Sequence, residues 1–257
     1  MMKLEASKSL PALADKYERA DFCKGDPSQF LRHYEKVPKA QIADTELAAF
    51  IAAMLAFGSR AQFIPKIESI LQQADAQDGS ISLWLSRGSY RKSFAHGDKK
   101  FYRFYSYDDM QTFFAELAAI LKKAGSLGQY FQAEWEEQGK KDLLADIISL
   151  SFPKSRIVPK GRASANKRIH MFLRWMVRRN SPVDLGIWSW YPQSCLLLPL
   201  DVHVMQEAVK LGLLEPAATA SRKTAMLLTK KMEEIFPGDP CRADYALFGL
   251  GVSVTGA

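Results

Sequence analysis

A chain of 257 residues, 47% hydrophobic and with aromatic residues throughout, can bury a substantial core, which excludes a disordered polymer. Three widely spaced cysteines, Cys23, Cys195 and Cys241, exclude a disulfide framework and a C-x-x-C metal site, so no metal or other cofactor is expected. The formal charge of +7 favours an anionic partner, nucleic acid ahead of an acidic membrane surface. With no run of about 18 apolar residues and no signal-like apolar core at the N-terminus, the expectation is a cytoplasmic protein without a membrane partner.

Helical periodicity dominates in chain order, and the expected class is all-α, built as a single helical unit over residues 1–257 or as two interleaved subdomains. Leu10 to Ala20 predicts a short helix, and Asp26-Pro27 supplies a cap and a first helical position for PSQFLRHY. Asp44 is the expected cap of TELAAFIAAMLAF, which is apolar nearly all round and therefore buried; Gly58 ends it. Ala61 to Ala74 is amphipathic through Phe63, Ile67, Ile70 and Leu71, with Pro65 confined to its first turn. A short helix over Ile81 to Leu85 follows.

The stretch from Phe94 to Tyr107 interleaves Lys99, Lys100 and Arg103 with Phe101, Tyr102, Phe104, Tyr105 and Tyr107. That composition suits stacking on bases and touching phosphate, and equally suits an aromatic connection anchored in the core. Asp108-Asp109 is expected to open MQTFFAELAAILKKA, which Gly125 ends; Ser126 begins LGQYFQAEWEEQ, and Lys141 to Leu150 forms another short helix.

Between Ile147 and Val183 there is no Asp or Glu but there are nine Lys or Arg. The turn PKSRIVPKGRA leads into SANKRIHMFLRWMVRR, with Ser164 as the expected N-cap. On a helical wheel Ile169, Phe172, Leu173, Met176 and Val177 form the core side. Lys167, Arg174 and Arg178 line the opposite side, with Arg168, Trp175 and Arg179 between. Such a cluster is either a solvated face or a polyanion site, and the lack of interleaved acids favours the second. Lys160, Arg162, Arg168, Arg174, Arg178 and His203 are the candidate nucleic-acid contacts, although His203 also suits packing or a local hydrogen bond. Trp188, Trp190 and Tyr191 either line a base pocket or cover the core. Asp201 is a conventional N-cap for VHVMQEAVKLG; Ser221 to Phe236 is amphipathic; Asp239-Pro240 starts a last helix through CRADYALFGLG. Cys195 and Cys241 read as buried small apolar residues.

The segments KRIHMFLRWMVR, PVDLGIW, LPLDVHV, LGLL and DYALFGLG together resemble an uncharacterised bacterial protein family, from about Thr45 to Gly251. Within them, LPLDVHV followed by KLGLL resembles the PVDTHV-and-RLGL segment of the helix-hairpin-helix DNA glycosylases, all-α enzymes that excise damaged or mismatched bases. The resemblance implies two helical subdomains with a cleft between them, a catalytic aspartate at Asp201 and a lysine nucleophile at Lys167. The site would lie in a basic hairpin-like helix pair over 152–212, in a layout closest to the archaeal oxidised-guanine branch. The implied partner is damaged duplex DNA, with no obligate protein partner. The implied reaction is removal of a damaged base, an oxidised purine by that likeness, with abasic-site lyase activity.

Two departures accompany the likeness. The glycine-rich LPGVGPKTA hairpin of the superfamily is replaced by FPKSRIVPKGRASANKR, with Gly161 alone, and the four cysteines of an iron–sulfur site are missing. A non-enzymatic nucleic-acid-binding protein on the same helical scaffold is therefore the alternative, and a module whose basic face binds an acidic protein is a third reading.

Overall fold

The computed structural model describes residues 2–37 and 40–255 and is mainly helical, as the periodicity predicts. The chain forms two compact units: one joins Met1–Lys24 to Lys160–Ala257, and the other is Gly25–Pro159. The first begins with α1 (Met2–Tyr17). None of the described helices is long and apolar enough to cross a membrane.

The Gly25–Pro159 unit is built around α2 (Ile42–Leu55), whose residues from Leu47 to Leu55 are all fully buried. Its alanines let neighbouring elements approach closely. Around it pack α3 (Arg60–Asp78), α4 (Ile81–Arg87) and α7 (Leu127–Glu137). Between them come α5 (Tyr90–Ser93) and α6 (Tyr107–Ala124), and α8 (Leu144–Leu150) closes the unit. Two buried acids at the start of α2 bind the amides of other helices: Asp44 accepts from Ser82 N at 2.8 Å, and Glu46 from Gly128 N at 3.0 Å. Asp44 is thus not the N-cap. Gln41 holds that place, and Asp44, three residues on, accepts its backbone N–H at 2.9 Å.

The aromatic stretch forms a small antiparallel hairpin of β1 (Lys100–Tyr102) and β2 (Tyr105–Ser106), too short for strand alternation to show in the sequence. Phe94, Phe101, Tyr102 and Tyr105 are buried, so most of this stretch belongs to the core, whereas Phe104 is 52% exposed. Ser106 caps α6 through a capping box with Asp109, correcting the expectation that Asp108-Asp109 opens that helix.

In the other unit, α9 (Lys167–Val177), α10 (Val202–Lys210), α11 (Arg222–Glu233) and α12 (Ala243–Thr255) accompany α1. Helix α12 packs along α1 on one side and α10 on another. Asp201 is an N-cap as predicted and, in the Gly25–Pro159 unit, Ser126 starts its helix as predicted; Ser221 caps α11 as well, and each accepts a backbone N–H three residues on. Ser164 is not. Helix α9 starts at Lys167 after Asn166, which sits in the left-handed region at φ 43°. Ser164 instead bridges to Ser221, and Arg222 N donates to Ala163 O at 2.8 Å, tying the α9 approach to the start of α11.

Candidate active site

Lys167 and Arg174 of α9, and Arg178 at its C-cap, do fall on one stripe, since seven and then four residues bring a helix back to nearly the same side. The wheel groups them correctly but does not show what they face. Arg174 and Arg178 are 6% and 1% exposed, and both point into a cage of carboxylates.

Arg174 donates to Asp184 at 3.2 Å and to Asp244. Arg178 donates to both oxygens of Asp239, at 2.8 and 3.0 Å, to Asp184 at 2.9 Å and to Glu18. Tyr245 donates its hydroxyl to Asp184 at 2.9 Å, and its ring lies 4.3 Å from the Arg174 guanidinium. Arg242 binds Glu18 from the other side at 2.8 Å. Arg174 and Arg178, expected as nucleic-acid contacts, are therefore internal ties between α9, the end of α1, the 184 segment and α12. The acids that neutralise them lie just outside the acid-free stretch, beginning with Asp184, or far away in sequence.

The PVDLGIW segment carries Asp184 to this place and closes the C-terminal end of α9. Leu185 N and Trp188 N donate to the carbonyls of Trp175 and Met176, both at 2.8 Å. Gly186, at φ 61°, lies against the backbone of Arg178 and Arg179, where a Cβ would come within 3.1 Å. Trp188 and Tyr191 are buried under it, and Phe172 packs edge-on against Trp188 at 5.2 Å, so this aromatic group covers the core; Trp190 alone is half-buried.

At the first turn of α9, Lys167 leaves the cage and meets Asp201. Its Nζ donates to Asp201 Oδ2 at 2.7 Å, with the lysine side chain 33% and the aspartate 18% exposed. The other carboxylate oxygen, Oδ1, accepts Val204 N at 2.8 Å. One carboxylate thus caps α10 and holds the lysine, an oxygen for each task. Burial pushes the Asp201 carboxyl up. The Lys167 ammonium, its hydrogen bond, the Val204 amide and nearby His203 outweigh that and hold it below the usual range. Phe248 of α12 lies beneath, its ring 5.9 Å from the lysine Nζ.

Asp244 links pair and cage. Burial pushes its carboxyl up to about 6 against the pull of Arg174 and Lys167, with the Asp201 charge adding to the rise. Neither Asp244 nor Phe248 stands out in the sequence; their one signal is the DYALFGLG segment, which enters only as part of a likeness. Of the remaining candidates, Lys160 and Arg162 are exposed on the approach to α9, Arg168 is half-buried in its first turn, and His203 is exposed in the first turn of α10. The structure brings Lys167, Asp201 and His203 together and separates Arg174 and Arg178 from them in role. Cys241 is buried, as expected, but Cys195 is exposed.

A family model described as a protein of unknown function, DUF2400, matches residues 26–253. The chain belongs to the DUF2400 family. The match takes in every residue of the pair and of the cage except Glu18. No curated protein and no solved structure matches this DUF2400 chain.

Arg178→Ala leaves Asp184, Asp239 and Glu18 without their shared cation and should lower stability by about 3–5 kcal/mol, read by urea unfolding. Arg19→Ala, which breaks an exposed pair with Asp21, should cost no more than about 1 kcal/mol. A carboxyl titration followed by NMR should show a group near pH 6 that disappears in Asp244→Asn. An unfolded Asp titrates near about 3.9, so the folded state holds the extra proton between those values. The contribution of Asp244 to stability is therefore largest below about pH 4, declines as pH rises to about 6, and then levels off.

Proposed function

We propose that this protein is a DNA repair glycosylase with abasic-site lyase activity, acting on a damaged base in duplex DNA. The observation that carries the reading is the Lys167–Asp201 contact. A lysine at the first position of one helix and the N-cap aspartate of another, 34 residues apart, meet at 2.7 Å and remain partly open to solvent.

Each group suits a step. Breaking a glycosidic bond builds positive charge on the sugar, which a carboxylate held ionised beneath the ring stabilises electrostatically. The environment of Asp201 keeps it in that form. The Lys167 amine then attacks the sugar carbon that bears the base; the new C–N bond forms as the bond to the base breaks, and the base leaves with a proton. Ring opening of the adduct gives a Schiff base. Loss of a proton from the neighbouring sugar carbon expels the 3′ phosphate and cuts the strand. In the resting protein Lys167 is an ammonium paired to Asp201; the proton it gives up before attack passes through solvent, to which the pair is partly open, to the departing base, so that Asp201 stays ionised. Exposed Lys160 and Arg162 and half-buried Arg168 supply cations near the same helix start for the DNA backbone. An oxidised purine is the base suggested by the archaeal likeness.

The resting ion pair also favours a second reading, nucleic-acid binding without chemistry, because a charged lysine can hold a phosphate but cannot attack carbon.

The test is base release from duplexes carrying oxidised guanine, uracil, an alkylated purine or an abasic site. Asn is as good an N-cap as Asp, so Asp201→Asn should fold normally yet release the base at least about 100-fold more slowly. Lys167→Ala should abolish strand cleavage. Undiminished activity in both variants would exclude the pair as the site. No base release from any duplex, with salt-sensitive binding retained, would select the second reading.

A further inference from the structure

The tip of the β1–β2 hairpin breaks two local rules together. Tyr102 pairs with Tyr105, so Arg103 and Phe104 form a two-residue turn, and Arg103 takes the first position at φ 50°, where glycine is favoured. Phe104 then stands 52% exposed, although the hairpin's other aromatic residues, Phe101, Tyr102 and Tyr105, are buried. A turn made only for stability would carry Gly or Asn there and a polar residue beside it.

The tip is also braced. The Phe104 ring lies 5.3 Å from Phe57 and 4.6 Å from Tyr105, so aromatic rings back it and hold its position. Tyr102 donates its hydroxyl to Phe57 O, fastening the hairpin to the turn between α2 and α3. The Arg103 side chain lies across Gly58, where any Cβ would collide with it, and its guanidinium is 5.7 Å from the Phe57 ring. Two exposed cations stand at the tip: Arg103 itself, and Lys100, whose Nζ donates to Phe104 O at 3.4 Å.

We propose that Phe104 is a stacking platform for an unpaired base of a nucleic-acid strand, with Arg103 and Lys100 holding the phosphates on either side. An exposed aromatic ring backed by other rings, with Arg103 and Lys100 beside it, matches the two chemistries of such a strand, a base face and an anionic backbone. The inference rests on nucleic acid being the ligand, and not on catalysis at Lys167.

The experiment is fluorescence anisotropy of the full chain with a labelled oligothymidine strand across a salt series. Phe104→Ala should bind about 5- to 100-fold more weakly. Phe104→Trp should restore affinity and add tryptophan quenching on saturation beyond that of the wild type. Arg103→Gln should make the fall of affinity with salt shallower, by about 0.7 in the logarithmic slope for each phosphate no longer neutralised. Unchanged affinity in Phe104→Ala, or a wild-type chain that binds no strand at low salt, overturns the inference. If Phe104→Ala binds weakly while the wild type releases no base from any duplex, the platform stands and the glycosylase reading falls. Normal base release with unaltered strand binding by Phe104→Ala gives the reverse.

Discussion

The Arg174–Arg178 cage is the constraint on which the unit formed by the two ends of the chain depends. Two guanidinium groups that cannot lose their protons are buried on one helix stripe, so carboxylates must be brought to them. Glu18 comes from beyond α1, Asp184 from the returning segment, and Asp239 and Asp244 from the approach to α12 and its first turn. Burying such pairs adds little net stability, because desolvation offsets most of the attraction. What it supplies is exclusivity: a shift of α12 by one residue along α9 would strand a charge. The cage therefore sets where α9 lies against α12, and with it the position of Lys167 at the other end of the same stripe.

That placement gives the Lys167–Asp201 pair its meaning. A lysine and an aspartate in contact are common on protein surfaces and worth little. Here the aspartate is already held by the amide of Val204, the lysine is aimed by a helix fixed two turns further on, and Asp244, bound to Arg174 in the cage, lies within electrostatic reach of both. The capping role and the proposed catalytic role of Asp201 do not compete, because each uses a different oxygen. Structural demand explains why an acid or amide stands at residue 201; the cap alone gives no reason for the lysine to be there.

Much of the helical plan is legible because its signals are local. Ser126, Asp201 and Ser221 each bind an amide three residues away, so a short span of sequence contains the whole interaction. The N-cap of α9 is not legible: Asn166 takes a left-handed backbone and Ser164 is drawn off to Ser221, a partner 57 residues distant. The β1–β2 hairpin escapes because five strand residues cannot show a period. Arg174 and Arg178 look outward-facing in the sequence because the acid-free stretch runs as far as Val183, one residue before their first partner. Lys167 and Asp201 stand out through a likeness, and nothing in their spacing alone joins them.

In the proposed reaction Lys167 forms a covalent bond to the sugar of a damaged nucleotide beside Asp201. The most direct measurement is borohydride reduction during turnover on duplexes with an oxidised guanine or an abasic site, followed by mass spectrometry of the adducted peptide. A stable protein–DNA adduct is expected on the peptide that contains Lys167, absent in Lys167→Ala. An adduct mapped to a different lysine, or unaltered trapping by Lys167→Ala, would contradict it.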